Sequence, residues 1–240
     1  MEKKRQKINW NRGITRFVFM SLVVSIVYIV FEMATAPAIQ DLENPFGRVK
    51  SDYALILLQC ILGVFAMLLP GFLRHQINLV IPSKMLVVYT VFLYCAIYLG
   101  EVRSFYYMLP HWDTILHAFS GAMLGALGFS FINFLNKTEA VPINLSPIFV
   151  VTFAFCFAVT LGVLWEVYEF LVDGFFGTNM QKFALEDRTI LQGRSALIDT
   201  MKDLIVDMAG AFVMSLVGYI SLKYKKGWLE NVMLKIQKHG

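Results

Sequence analysis

Apolar residues gather into six long runs, at about 14–34, 53–73, 83–101, 113–135, 147–172 and 201–222, each bounded by polar or helix-breaking residues. About 20 consecutive apolar residues cross the hydrocarbon core of a bilayer as a helix, because a helix satisfies its own backbone polar groups there. The pattern predicts an all-α polytopic membrane protein, a single bundle of six transmembrane helices. Prolines sit where such runs start or stop. Pro37 and Pro45 fall in the first connection, Pro82 and Pro147 open the third and fifth runs, and Pro110 precedes the fourth. Pro70-Gly71 predicts a kink or an end in span two.

Composition agrees. The chain has 240 residues, 58% hydrophobic and 16% charged, with a mean hydropathy of +0.62. A soluble domain carries about a quarter charged residues, so a soluble globular class is excluded. Residues 1–13 read as a basic cytoplasmic segment, 14–222 as the six-span membrane domain, and 223–240 as a basic cytoplasmic tail. Ala34-Thr35-Ala36 has the form of a signal-peptidase site. The run before it is long for a signal sequence and Pro37 follows directly, so the first span is read as retained.

With both termini cytoplasmic, fourteen Lys and Arg face the cytoplasm and seven the outside, as the positive-inside bias requires. The charge therefore speaks for topology and for the lipid bilayer as a partner, and no nucleic acid is implied. Cys60, Cys95 and Cys156 lie inside spans and read as apolar fillers, not disulfides. In the tail, Trp228, Leu229, Val232, Met233 and Ile236 are at roughly helical spacing. A short helix on the inner interface is one expectation there, and a frayed tail the other.

One stretch does not suit lipid. Between Trp165 and Ala211, six carboxylates lie in or beside segments otherwise made for lipid: Glu166, Glu169, Asp173, Asp199, Asp203 and Asp207. Ionisable groups are costly in hydrocarbon and mark a site or a buried packing device. At about 100° per residue, Glu166 and Asp173 share a helix face, and Asp199, Asp203 and Asp207 form a stripe at i, i+4 and i+8. Asp173 and Asp199, at span boundaries, read as solvated helix ends. Glu166 and Asp207 do not, because apolar residues flank them. Asp113 and His117 begin the fourth span at the same expected depth, with Glu32, Glu101 and Arg103 also at outer ends. The opposite halves of the spans hold hydroxyls such as Thr90, Thr152 and Ser215, and neither acid nor His. The expectation is an outer-leaflet pocket built from Asp113, His117, Glu166, Glu169, Asp203 and Asp207.

Below the acids run small residues. Asp113 and His117 lead to Gly121 and Gly125, and Asp207 to Gly210 and Ala211. Small residues at helical spacing let membrane helices approach closely, so spans four and six are expected to pack tightly and splay around the pocket. The connection at 174–198 is long for a compact bundle. It carries Lys182, Arg188 and Arg194, and suits a lid, a charge partner for the carboxylates, or an ordinary surface loop.

WDTILHAFSGAMLG, LGVLWEVYEFLVD, FFGTN and IDTMKDLIVDMAGA resemble the YjdF-like family of bacterial multi-span membrane proteins over about residues 110–215. A more distant similarity links them to VanZ-like proteins, which share a D-x-x-x-H helix, a later glutamate helix and an Asp-rich helix ending in Gly-Ala. In the YjdF-like pattern a Gly-Thr-Gln-Gly-Asp stretch shortly precedes the Asp-Thr. Here Gly177-Thr178-Asn179 lies far upstream and Gln192-Gly193 nearer. VanZ-like members are associated with teicoplanin resistance at the cell envelope. The resemblance implies a bacterial plasma membrane and an outward-facing role, with no named reaction.

Three function classes remain. A membrane-embedded metal-dependent hydrolase or transferase would use a divalent metal as cofactor. His117, Glu166 and Asp207 are candidate ligands, since His with carboxylates suits Zn, Mn or non-haem Fe. Without metal, paired carboxylates and His can do acid–base work. An ion-coupled transporter would instead place its site near the midplane on broken helices in repeated halves, and no internal repeat is present. A non-catalytic protein would use the acidic pocket to bind an envelope or lipid-linked ligand. H-E-x-x-H, G-x-S-x-G, P-loop and Cys-pair motifs are absent from the sequence.

Overall fold

The computed structural model describes residues 10–39, 44, 47–137, 145–185, 187–228 and 235–236. Residues 1–9, most of the expected basic N-terminal segment, lie outside them, as do 229–234 and 237–240 of the tail. The described chain is all-α apart from two-residue strands. Six of its helices are long and apolar enough to cross a membrane. They are α1 (Trp10–Thr35), α2 (Lys50–Ile77), α3 (Ser83–Leu93) with its continuation, α5 (Trp112–Lys137), α6 (Pro147–Phe176) and α7 (Arg194–Lys223); α4 (Phe105–Met108) is a single turn. Large apolar side chains on their outer faces, among them Phe31, Phe65, Phe170 and Phe212, are exposed. A soluble protein would bury such residues, and a bilayer accepts them.

Local chemistry explains the boundaries. Ser146 caps α6 by accepting from the Phe149 N–H, with Pro147 in the first turn. Gly177 ends that helix in the left-handed region, at φ 63°. The Val49 N–H donates to Asp52 Oδ2 at the start of α2.

The structure adds detail at three places. Of the kink or end expected at Pro70-Gly71, the end does not occur, since α2 runs through Pro70. Proline lacks the N–H that would bond the carbonyl four residues back. That carbonyl belongs to Ala66, and it accepts the Tyr89 hydroxyl at 3.0 Å instead. Span three is also not one α-helix, since Tyr94–Val102 forms a nine-residue π-helix. Of the tail positions at helical spacing, Leu229, Val232 and Met233 lie outside the described residues. Lys235 and Ile236 make β2, which pairs antiparallel with β1 (Leu79–Val80) in the α2–α3 turn.

The six spans divide into two three-helix groups with separate cores. α1, α2 and α3 bury Leu22, Ile29, Ile56, Cys60 and Leu93 among themselves. α5, α6 and α7 bury Phe129, Ile132, Val150 and Ala154. Spans four and six do pack closely. A Cβ at Gly121 would strike the Asp207 carbonyl, one at Gly210 the Ala118 carbonyl, and one at Gly125 would stand 3.2 Å from Met214 Cβ. Cys60, Cys95 and Cys156 are free thiols.

Candidate functional site

The close α5–α7 contact sets the geometry of the polar groups above it. His117 on α5 lies opposite the Asp stripe of α7. Its Nδ1 is 3.2 Å from Asp207 Oδ2, and its Nε2 is 3.6 Å from Asp113 Oδ1 and 3.9 Å from Asp203 Oδ2. Asp207 is held from the other side by the Ser120 hydroxyl, which donates to Oδ1 at 2.8 Å. His117, Asp203 and Asp207 are all buried. Ligand atoms of Asp113, His117 and Asp203 lie within 4.8 Å of one another, close enough to share a metal ion.

The connection between α6 and α7 closes over this group. Lys182 reaches down to Asp113 Oδ2 and stands 3.5 Å from Asp199 Oδ2. Its ammonium also lies 5.6 Å from the centre of the Tyr106 ring. Burial alone would lower the Lys182 pKa, but the carboxylates of Asp113 and Asp199 outweigh it and the net shift is upward. The loop is pinned by Asp173, which accepts from the Thr178 hydroxyl at 2.6 Å and from the Met180 and Gln181 N–H groups at 2.7 and 2.9 Å. Farther along, Arg188 Nη2 meets Asp52 Oδ2 on α2 at 2.7 Å.

These contacts correct two sequence expectations. Asp173 is buried and organises the loop, so it is no solvated helix end. Asp199 is half-buried and paired with Lys182. The reading of the 174–198 segment as a charge partner fits Lys182. α7 begins at Arg194, seven residues before the apolar run at 201, so the connection itself is shorter than expected.

Between the two helix groups lies a cavity of about 410 Å³. One end is polar, lined by Glu101, Asp113, His117, Glu169, Lys182 and Asp207. The other is apolar, lined by Leu62, Ala66, Phe92, Ala96, Met123 and Leu124. About 17 Å of helix separates Asp113 from Leu124 at 1.5 Å per residue, roughly half the hydrocarbon thickness of a bilayer.

Of the six candidates, Asp113, His117, Asp203 and Asp207 form one contact group. Glu169 is buried and lines the cavity. Glu166 is buried nearby with no hydrogen-bond partner for either oxygen, Thr200 being a polar neighbour. It makes no ion pair with His117 among the described residues, so the expected metal set of His117, Glu166 and Asp207 is not drawn together as a trio. Glu101, Tyr106 and Ser120 were not among the candidates. Glu101 had a signal in its position at the same end of span three. Ser120 had one in its spacing, one turn after His117. Tyr106 had none.

Fold and site together define a six-span membrane protein with an ionisable cluster inside its second helix group. The chain belongs to the family described as Predicted membrane protein (DUF2238), whose profile matches residues 14–224. It is also similar to a Thermotoga maritima protein named "Uncharacterized protein", at 31% identity over 165 residues, covering 66% of this chain and 76% of that one. No solved structure matches it.

Proposed function

We propose that the protein is a bacterial plasma-membrane protein with both termini cytoplasmic, whose pocket opens toward the outer leaflet and binds a lipid or lipid-linked envelope molecule. The observation that carries this reading is the two-ended lining of the cavity. Its apolar limb matches an acyl or prenyl chain, and its acidic end with Lys182 and His117 matches a polar head. Clefts that combine an apolar wall with a few convergent polar groups are the usual form of ligand sites. The charge bias of the sequence supports the orientation. The YjdF-like resemblance, and the more distant VanZ-like one, support an envelope-facing role.

Extraction of lipids from the purified full-length protein tests the proposal. Wild type should carry one lipid class enriched over the total membrane extract. Leu124→Trp, which fills the apolar limb, should lose that enrichment while keeping its thermal unfolding midpoint. A bound-lipid profile identical to the bulk membrane in both proteins would overturn the reading.

A further inference from the structure

We infer that Asp113, His117 and Asp203 form a binding site for one divalent first-row transition-metal ion. The inference concerns the pocket already described but does not depend on what the cavity holds.

His117 presents its two ring nitrogens to different partners. Its Nδ1 faces Asp207 at 3.2 Å, an acceptor that fixes a proton on that nitrogen. Nε2 then points at Asp113 Oδ1 and Asp203 Oδ2, at 3.6 and 3.9 Å. Both separations exceed hydrogen-bond length, so a proton on Nε2 would bond neither carboxylate well. Three electron-rich atoms therefore surround one point. With metal–ligand bonds of about 2.0–2.2 Å, the ligand atoms of a four-coordinate ion stand about 3.4 Å apart. The observed separations are close to that.

Asp203 supplies an independent observation. It is 1% exposed, and its Oδ1 has no hydrogen-bond partner. Its Oδ2 has His117 Nε2 at 3.9 Å, beyond hydrogen-bond length, and Lys182 is engaged with Asp113 and Asp199, so the buried carboxylate is incompletely satisfied and costly. A cation at the shared point would offset that cost.

The outer contacts have the form that supports metal ligands. His117 gives its second nitrogen to Asp207, which Ser120 anchors in turn. Asp113 turns Oδ1 toward the shared point while Lys182 holds Oδ2. A carboxylate behind a ligating histidine and a donor behind a ligating carboxylate are the usual orienting partners. One nitrogen and two oxygens suit Zn²⁺, Mn²⁺ or Fe²⁺ better than Ca²⁺ or Mg²⁺, which favour all-oxygen shells. Three protein ligands leave a coordination position, and Asp113 and His117 also line the cavity.

The test uses the purified full-length protein, stripped with chelator and reloaded with Zn²⁺ or Mn²⁺, without added lipid. Wild type should retain about one equivalent after desalting. Asp203→Asn and His117→Ala should weaken binding at least tenfold, and Asp207→Asn by about tenfold to hundredfold as an orienting partner. Glu166→Gln should bind as wild type does. Zinc X-ray absorption on wild type needs no variant, and should show one imidazole nitrogen among light-atom ligands at about 2.0–2.2 Å. The inference is overturned if no metal is retained, if the absorption shows no imidazole, if Asp203→Asn binds normally, or if Glu166→Gln loses the metal. None of those results touches the lipid reading, which is measured on chelator-treated protein as well.

Discussion

His117 and Asp207 meet across the α5–α7 contact, Nδ1 to Oδ2 at 3.2 Å. Their approach depends on glycine rather than on either side chain. Gly121, one turn below His117, leaves room for the backbone carbonyl of Asp207, and Gly210, just after Asp207, leaves room for that of Ala118. A small-residue stripe that sequence alone explains as packing thus also sets the distance between two ionisable groups.

Asp207→Asn should reverse the proton on His117. The Asn carbonyl can still accept from Ser120, but its amide then donates to Nδ1, so Nδ1 changes from protonated to unprotonated. Nitrogen NMR of histidine-labelled protein, assigned with a His117→Gln sample, reads this directly. A protonated Nδ1 in Asp207→Asn would refute the pairing. Asp207→Ala removes the acceptor facing His117 Nδ1, while the Ser120 hydroxyl keeps the His117 carbonyl as acceptor at 2.9 Å, and should cost about 3 kcal/mol of stability.

Lys182→Met should loosen the α6–α7 connection while leaving the helices intact. Lys182 joins the loop to Asp113 and Asp199, and its side chain is 28% exposed, so the pair contributes about 1 kcal/mol after solvent screening. Tryptic cleavage at Arg188 should become roughly threefold to fivefold faster, the response to that energy. Because the Lys182 pKa is raised in the folded protein, its stabilisation is complete below the ordinary lysine value and is lost only as pH rises through the higher folded value. Cleavage of wild type at Arg188, corrected for the protease's own pH dependence, should therefore stay constant from about pH 7 to 10. Unchanged cleavage in Lys182→Met would show that Asp173 alone secures the loop.

Much of this fold was legible because membrane spans are set by length and polarity. All six apolar runs lie within the helices, and the largest error is the start of α7. Arg194, Asp199, Lys202 and Asp203 dilute its first turns below the hydropathy of a span, although they are helical. The π-helix at Tyr94–Val102 leaves hydropathy unchanged, because it alters which carbonyl each N–H finds. Helical arithmetic put Glu166 and Asp173 on one face, yet Asp173 spends its carboxylate on Thr178, Met180 and Gln181. No periodicity predicts a bond to a loop. The cavity depends on the spacing between two helix groups, which no single run of residues encodes.

Orientation is open to direct labelling. In a cysteine-free background, Arg188→Cys should react with a membrane-impermeant maleimide on intact cells. Lys226→Cys, beyond the end of α7, should react only after permeabilisation. Arg188 is about one-third exposed and Lys226 is exposed, so neither result is limited by burial. The reverse pattern would turn the acidic end toward the cytoplasm. The envelope-facing role would then fall, while the cavity and its ligand would still need an account.

Glycine substitutions should separate the helix contact from helix formation itself. At Gly121 a methyl group would overlap the Asp207 carbonyl, and backbone cannot swing aside as a side-chain tip can. At Gly125 the nearest atoms are Met214 Cβ and Cγ at 3.2 and 3.3 Å, so a shift of a few tenths of an ångström between the helices suffices, far less than the overlap at Gly121 requires. Gly71, on α2, meets nothing within 4 Å. Alanine favours a helix over glycine by about 1 kcal/mol wherever space allows. Gly71→Ala should therefore leave the thermal midpoint in detergent unchanged or raise it. Gly125→Ala should fall between, and Gly121→Ala should lower stability by about 1–3 kcal/mol through overpacking. Gly121→Ala should also push α5 from α7 and lengthen the His117–Asp207 contact, weakening the Nδ1 signature described above. If Gly121→Ala melts with wild type and keeps that signature, the carbonyl contact does not set the site.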